Sequence, residues 1–264
     1  MAEHPGYLVY QEPPQRPLTA RNLADYALCP QKFLLSFFAT RSQTERFLGG
    51  PVALQTAARA ALIECYRQGG TAAVAEERLL ALFEQHWEGR LCADSLEEEQ
   101  LHAQGLQILR AYHAAHLTEA ETTVALDLRL EETLGEHRFV AVADRVIEDP
   151  GGTLTLLRFK TVRQAPSARA LGKDLSIALL ALLGERHFGR PVQVGIAHLR
   201  SGKLLIADLP PAQLEEWEVE VQRQAALIRA ARDYPTNKGR ICGVCRSRPQ
   251  CPAWHPQPLA EEIW

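Results

Sequence analysis

Four of the six cysteines constrain this chain more than any other feature. Cys242, Cys245 and Cys251 form a C-x2-C-x5-C cluster near one end. Cys29 stands alone near the other, in the segment ADYALCPQKF. One remote thiol plus a cluster of three is an awkward count for disulfides. It suits a four-thiolate metal site that pins the two ends of a domain together. Cys65 and Cys92 lie in helical stretches without a partner pattern and read as small buried or half-buried thiols.

Two tetrathiolate groups compete for that site. Structural zinc usually takes two short C-x2-4-C knuckles. This chain has one knuckle, one cysteine five residues on and one at the far end. Irregular spacing suits a 4Fe–4S cluster, in which each iron takes one thiolate. Proline follows Cys29 and Cys251, like the C-P ending of some cluster motifs. Joining position 29 to positions 242–251 would close a loop around nearly the whole domain, so binding energy would become folding energy. Arg232, Lys238, Arg240, Arg246 and Arg248 gather beside the cluster against Asp233. They read either as a solvated basic tail or as a phosphate-contacting patch.

The rest of the composition sets the context. A chain of 264 residues, 46% hydrophobic and 23% charged, can bury a large core, expected here as one domain spanning 1–264. A net charge of -3 gives no global attraction to nucleic acid or membrane, so a nucleic-acid surface must be local. The start, MAEHPGYLVYQEPPQRPL, has neither a basic head nor an apolar run, and no later stretch reads as a membrane span. The expectation is a cytoplasmic protein with reduced thiols.

The pattern places helices first and strands second. Thr19 is a plausible N-cap for a helix over 20–28, Cys29-Pro30 breaks it, and Pro30 can start the next through Phe38. After a linker with Gly49-Gly50-Pro51, helices follow over 52–68, 72–88 and 95–118, with Ser95 and Glu98 as a capping box for the last. Residues 122–134, 137–148 and 153–162 alternate as strands, joined at Gly135-Glu136 and Asp149-Pro150-Gly151-Gly152. A crossover helix over 171–187, strands in VQVGIAHL and KLLIADL, and a helix from Pro211 to Arg232 complete the chain. The expected fold class is α/β: a helical part over 19–120, a sheet core over 121–209, and a terminal helix with the cysteine cluster over 210–264.

Within the sheet, Asp144 shares a strand face with Val140, Val142 and Val146, where a carboxylate must be paired, hydrogen-bonded or metal-bound. Arg158 and Lys160 share a face of the next strand, and the short turn makes the two strands antiparallel neighbours. Asp144, Arg158 and Lys160 can therefore converge. Other residues carry less. His86, His102, His113 and His116 lack paired metal spacing, Glu97, Glu98 and Glu99 read as a solvated helix start, and no G-x-S-x-G or Walker pattern occurs.

In LTARNLADYALCPQKFLLSFF, ADRVIEDPGGTLTLLRFKT, DLSIALLALLGERHFG and RICGVCRSRPQC, taken in order, the chain resembles the PD-(D/E)XK nuclease superfamily. The likeness is to its iron–sulfur RecB-like branch, which includes the AddB nuclease domain and the CRISPR-associated iron–sulfur exonucleases. The resemblance implies a restriction-endonuclease-like mixed central sheet flanked by helices, with a helical insertion and a structural 4Fe–4S staple. It implies DNA as the partner, single-stranded or at ends, in repair, recombination or processing, with room for a helicase or repair complex carried by another chain. Active relatives use Mg2+ or Mn2+ to activate water against a phosphodiester.

Carried across one at a time, Asp144 matches the first metal-binding aspartate and Lys160 the lysine that orients water. The acidic position between them is Arg158, the family's helical histidine falls at Gln55, and the Gln and Tyr of the following helix become Asp174 and Ala178. One aspartate beside two cations is a poor Mg2+ site, since that ion wants an oxygen shell. Arg158 would rather form a bidentate pair with Asp144, leaving an ion pair on a relic site. The alternative is an active centre in which Asp174, or less directly Glu131, restores the second carboxylate. A third reading is a non-enzymatic scaffold stabilised by its cluster.

Overall fold

The protein is described here by a computed structural model covering residues 15–38, 49–118 and 121–254. The N-terminal stretch before residue 15 and the segment leading up to Gly49 lie outside the described residues. Among the described residues, no helix is long and apolar enough to cross a membrane.

The chain divides into two compact units. One comprises Met1–Phe47, Thr133–Val140 and Glu216–Trp264; the other comprises Leu48–Glu132 and Ala141–Glu215. The division cuts across the three consecutive parts expected along the chain.

The first unit opens with helices α1 (Ala20–Leu28) and α2 (Pro30–Phe37). Thr19 caps α1 as expected: its hydroxyl accepts from Asn22 N at 3.1 Å while Asn22 Oδ1 accepts from Thr19 N at 2.9 Å. Cys29 is extended between the helices, and Pro30 sits at the first turn of α2, where a missing N–H costs nothing. Tyr234, fully buried, packs its ring against Phe33 and Tyr26 at centroid distances of 6.0 and 6.4 Å. Asn237 Nδ2 donates to Leu28 O at 3.0 Å and Gln31 N to Pro235 O at 3.3 Å. The α1–α2 pair and residues 234–237 are thus woven together within this unit.

The second unit holds helices α3 (Gly50–Arg67), α4 (Glu76–His86) and α5 (Ser95–Ala115) and most of the sheet. The strands are β1 (Thr122–Leu134), β2 (His137–Glu148), β3 (Leu154–Lys160), β4 (Gln193–His198) and β5 (Lys203–Ile206), in the order β1-β2-β3-β4-β5. β2 and β3 are antiparallel, β3 and β4 parallel, β4 and β5 antiparallel, which makes the sheet mixed. Leu54, Ala57, Ala58, Leu62, Phe83, Leu109 and Tyr112 from the helices bury against Phe159, Ala197 and Leu199 of the sheet region. This α/β architecture is consistent with a restriction-endonuclease-like fold.

Several boundaries differ from the sequence reading, among them α4, which starts at Glu76 and not near 72; at two helix entries an aspartate takes the capping role. Helix α5 is capped by Asp94, which accepts from Glu97 N at 2.8 Å, and not by Ser95. The crossover is two helices, α6 (Ala168–Gly172) and α7 (Leu175–Phe188), because Asp174 caps α7 and ends the preceding turn. The final helix, α8, runs Pro211–Ala230.

Candidate functional site

The backbone ladder between β2 and β3 ends at the Arg145–Leu157 pair. Beyond it the Asp144 carboxylate takes the place of a strand carbonyl: Oδ2 accepts from Phe159 N at 2.7 Å. The same oxygen accepts from Arg158 Nε at 3.2 Å, and Oδ1 accepts from Arg59 Nε at 2.7 Å. The Asp144 side chain is 0% exposed, so an ionised carboxylate here requires these donors. Both oxygens are committed. The expected Asp144–Arg158 pair forms, but through Nε alone and not as a two-pronged fork, because the second oxygen belongs to Arg59.

Arg59 also pairs through Nη2 with Asp127 of β1. Asp127 has φ 50°, a left-handed conformation that an aspartate tolerates better than most residues. Burial disfavours the Arg59 charge, but Asp144 and Asp127 outweigh that effect and hold the guanidinium above its ordinary pKa. Arg59 and Asp127 were not singled out in the sequence. The available signal was an arginine one turn after Gln55 in an alanine-rich run, with Ala57, Ala58 and Ala61 wholly buried beside it.

Gln55 serves the backbone around Lys160. Its Nε2 donates to Phe159 O at 2.8 Å, and its Oε1 accepts from Thr161 N at 2.8 Å and Thr161 Oγ1 at 3.0 Å. Lys160, half-buried between these bonds, is held below the ordinary lysine pKa, first by burial and then by Arg158; Asp144 and Asp174 oppose the shift. Asp174 is exposed and engaged as a cap, accepting from Ser176 N at 2.7 Å and Ser176 Oγ at 2.5 Å. Ala178, one turn later, is fully buried. Glu131 is exposed and pairs with Arg129 at 2.8 Å. The centre therefore gathers Asp144, Arg158, Lys160, Gln55, Arg59 and Asp127.

A divalent ion fits this arrangement poorly. Mg2+ and Mn2+ need free carboxylate oxygens, and here two guanidinium groups and an amide hold the one buried carboxylate. Among the described residues, no group of three or more His, Cys, Asp or Glu side chains is placed to hold one metal ion.

In the first unit, Cys29, Cys242, Cys245 and Cys251 line one cavity together with Lys32, Lys238, Arg248 and Trp254. Short 3-10 turns, Arg240–Gly243 and Arg248–Gln250, set the clustered cysteines. Asn237 N donates to Cys29 Sγ at 3.4 Å. Burial pushes the Cys251 thiol up, and Cys29, Cys245 and Cys242 push it further, so the four sulfurs share one electrostatic neighbourhood. The four thiols line one cavity, but among the described residues no three of them are placed to hold one metal ion. Cys65 is buried in α3 and Cys92 half-buried, apart from this set.

The basic tail is not uniform. Arg232 Nη1 donates to the carbonyls of Arg229, Ala230 and Ala231, closing the end of α8. Arg248 lies over the Trp254 ring at 4.2 Å and Lys238 at 5.5 Å. Lys238, Arg240, Arg246 and Arg248 are all exposed.

A family model described as the PD-(D/E)XK nuclease superfamily matches residues 17–252. No curated protein matches the chain.

Proposed function

This chain belongs to the PD-(D/E)XK nuclease superfamily, and on that premise we propose that it is a DNA-binding member whose hydrolytic centre has been replaced by an ion-pair network. The commitment of both Asp144 oxygens to Arg59, Arg158 and the Phe159 amide carries this reading. In an active centre those oxygens would be metal ligands. Here they are neutralised by side chains of the same chain, and the neighbouring acidic position is Arg158. The exposed cations Lys238, Arg240, Arg246 and Arg248 supply a second positive surface suited to a strand or an end of DNA.

We assign the cysteine cavity to a 4Fe–4S cluster held by Cys29, Cys242, Cys245 and Cys251, which aligns the chain with the iron–sulfur RecB-like branch. The convergence of the four thiols on one cavity supports this, and Lys32, Lys238 and Arg248 along its wall would offset the negative charge of a tetrathiolate group. The cluster would supply cross-linking of the two ends of the sequence. Brown protein containing iron and sulfide in near-equal amounts is the expected result; colourless protein with stoichiometric zinc would replace the cluster by zinc.

The decisive experiment pairs binding with cleavage. Salt-sensitive binding of single-stranded DNA without cleavage in Mg2+ or Mn2+ is expected. Cleavage by the natural chain that disappears in both Asp144→Ala and Asp174→Ala would show an active exonuclease using Asp144, Asp174 and Lys160. Absence of DNA binding even at low salt would leave the scaffold role. Partners such as a helicase or repair complex belong to the same reading and would be sought by co-purification.

A further inference from the structure

The same network leaves donors unused. Arg158 is tethered to Asp144 through Nε alone, and among the described residues its two terminal nitrogens have no partner. The Lys160 ammonium has none either, and Arg59 Nη1 is likewise unengaged. The carboxylate that anchors both guanidiniums is 0% exposed, whereas the Arg59 and Arg158 side chains are 28% and 31% exposed. The Asp144 carboxylate is thus sealed inside, whereas the Arg59 and Arg158 side chains are part-exposed and Lys160 is half-buried. Anchoring fixes the guanidiniums before any ligand arrives, so little ordering remains to be done on binding.

We propose that Arg158, Lys160 and Arg59 form a metal-independent seat for one phosphodiester group of a nucleic-acid strand. The proposal rests on the DNA-binding reading above and deepens it. Arg158 and Lys160 stand two positions apart on β3, about 6.7 Å along a strand. They can engage two non-bridging oxygens of one phosphate, the planar Arg158 fork on one and the ammonium on the other. In catalytic relatives a divalent ion carries the positive charge at such a centre. Here the charge is covalently part of the chain, so binding survives chelation.

Gln55 is a positioning residue for this seat. Its bonds on either side of Lys160 fix the backbone at Phe159 and Thr161 and hence the direction in which the ammonium leaves β3. Asp127 tempers the cationic surplus through Arg59, which favours a singly charged phosphodiester over a doubly charged phosphate.

The test measures binding of an oligothymidylate by fluorescence anisotropy in EDTA, across a salt series. The natural chain is expected to bind, with no change on adding Mg2+. Lys160→Met and Arg158→Gln should each weaken binding about tenfold and lower the magnitude of the salt slope by about 0.7. Arg190→Ala, whose guanidinium serves Glu148 and Gly152 O at another turn, should bind like the natural chain. Thermal unfolding verifies that each variant is folded, and Arg158→Lys, which keeps the charge, should retain more affinity than Arg158→Gln.

If folded Lys160→Met and Arg158→Gln bind as tightly as the natural chain, and only replacements at Lys238, Arg240, Arg246 or Arg248 weaken binding, the seat is overturned while the DNA-binding reading stands. Binding that requires Mg2+ also overturns the seat. Calorimetry with inorganic phosphate separates the sources of the anion: binding of phosphate but not of the oligonucleotide overturns the phosphodiester assignment. Binding of neither overturns both the seat and the function from which it was drawn.

Discussion

Asp144 is a buried carboxylate whose every oxygen is spoken for, and the residues around it determine what replacements will do. Changing Arg158 to Asp restores the acidic position of the family motif, but Arg59 still occupies Oδ1. The single variant is therefore expected to remain without a metal site. The double variant Arg59→Ala, Arg158→Asp should bind Mn2+ measurably by calorimetry; equal binding in both would show that Arg59 does not gate the carboxylate. Gln55→Ala removes three bonds to the β3 end. It should cost about 1–3 kcal/mol in urea unfolding, whereas a solvated glutamine would cost almost nothing. Lys160 gives a pH signature. Its folded-state pKa lies below the ordinary 10.5 because of burial and Arg158, so between the two values the unfolded chain binds more protons. That penalty is present in full below the folded value and is relieved as pH rises towards 10.5. Lys160→Met should therefore gain stability at neutral pH, and the gain should shrink under alkaline conditions; parallel stability curves would remove this account. The sequence exposed Asp144, Arg158 and Lys160 because strand alternation places them on adjacent faces. Arg59 and Asp127 escaped because their meeting depends on tertiary placement of a helix against β1, which no local period encodes.

At the scale of elements, several helix starts and strand turns were legible where a local side chain commits the backbone. Thr19 before α1, Pro30 inside α2 and the Asp149-Pro150-Gly151-Gly152 turn all act within a few residues, and these elements fall where expected. The β1 and β2 limits match because Gly135, at φ 58°, takes a turn conformation that a side chain would resist. The misassigned cap of α5 and the misread start of α7 share one cause: an aspartate takes the capping position, just before Ser95 at α5 and inside the expected helix at α7. Asp174 therefore has a structural duty of its own. Asp174→Ala should lower stability by about 1 kcal/mol through loss of the α7 cap, and Asp174→Asn or Asp174→Ser should recover most of it. A cleavage-centre carboxylate would not be rescued by serine. Close approach matters as well: a Cβ at Gly172 would run into the Asp208 carbonyl oxygen. Gly172→Ala is accordingly expected to cost about 1–3 kcal/mol by chemical denaturation, since backbone, and not a flexible side chain, must move.

For the whole molecule, the cysteine pattern signalled that distant segments near the two ends meet, and residues 28–31 and 235–237 do so inside one compact unit that also takes Thr133–Val140 from the middle of the chain. What the pattern could not convey is the division into two units, because that depends on which contacts cluster in space. All four cavity cysteines belong to the first unit. On the proposed cluster assignment, chelation should loosen amide protection around Cys29 and residues 235–254 while β3, β4 and α3 keep theirs, as read by hydrogen exchange. Uniform loss of protection would mean that the units stand or fall together. The discontinuous make-up of the first unit also orders events during synthesis. The second unit has all its residues once position 215 has been made, but Cys29 must wait for a partner region that begins 208 positions later at Asn237. At ribosomal speed that interval is roughly 10 to 40 seconds. For that time the nascent chain carries the Cys29 thiol and the α1–α2 pair without the later residues that cover them in the finished unit.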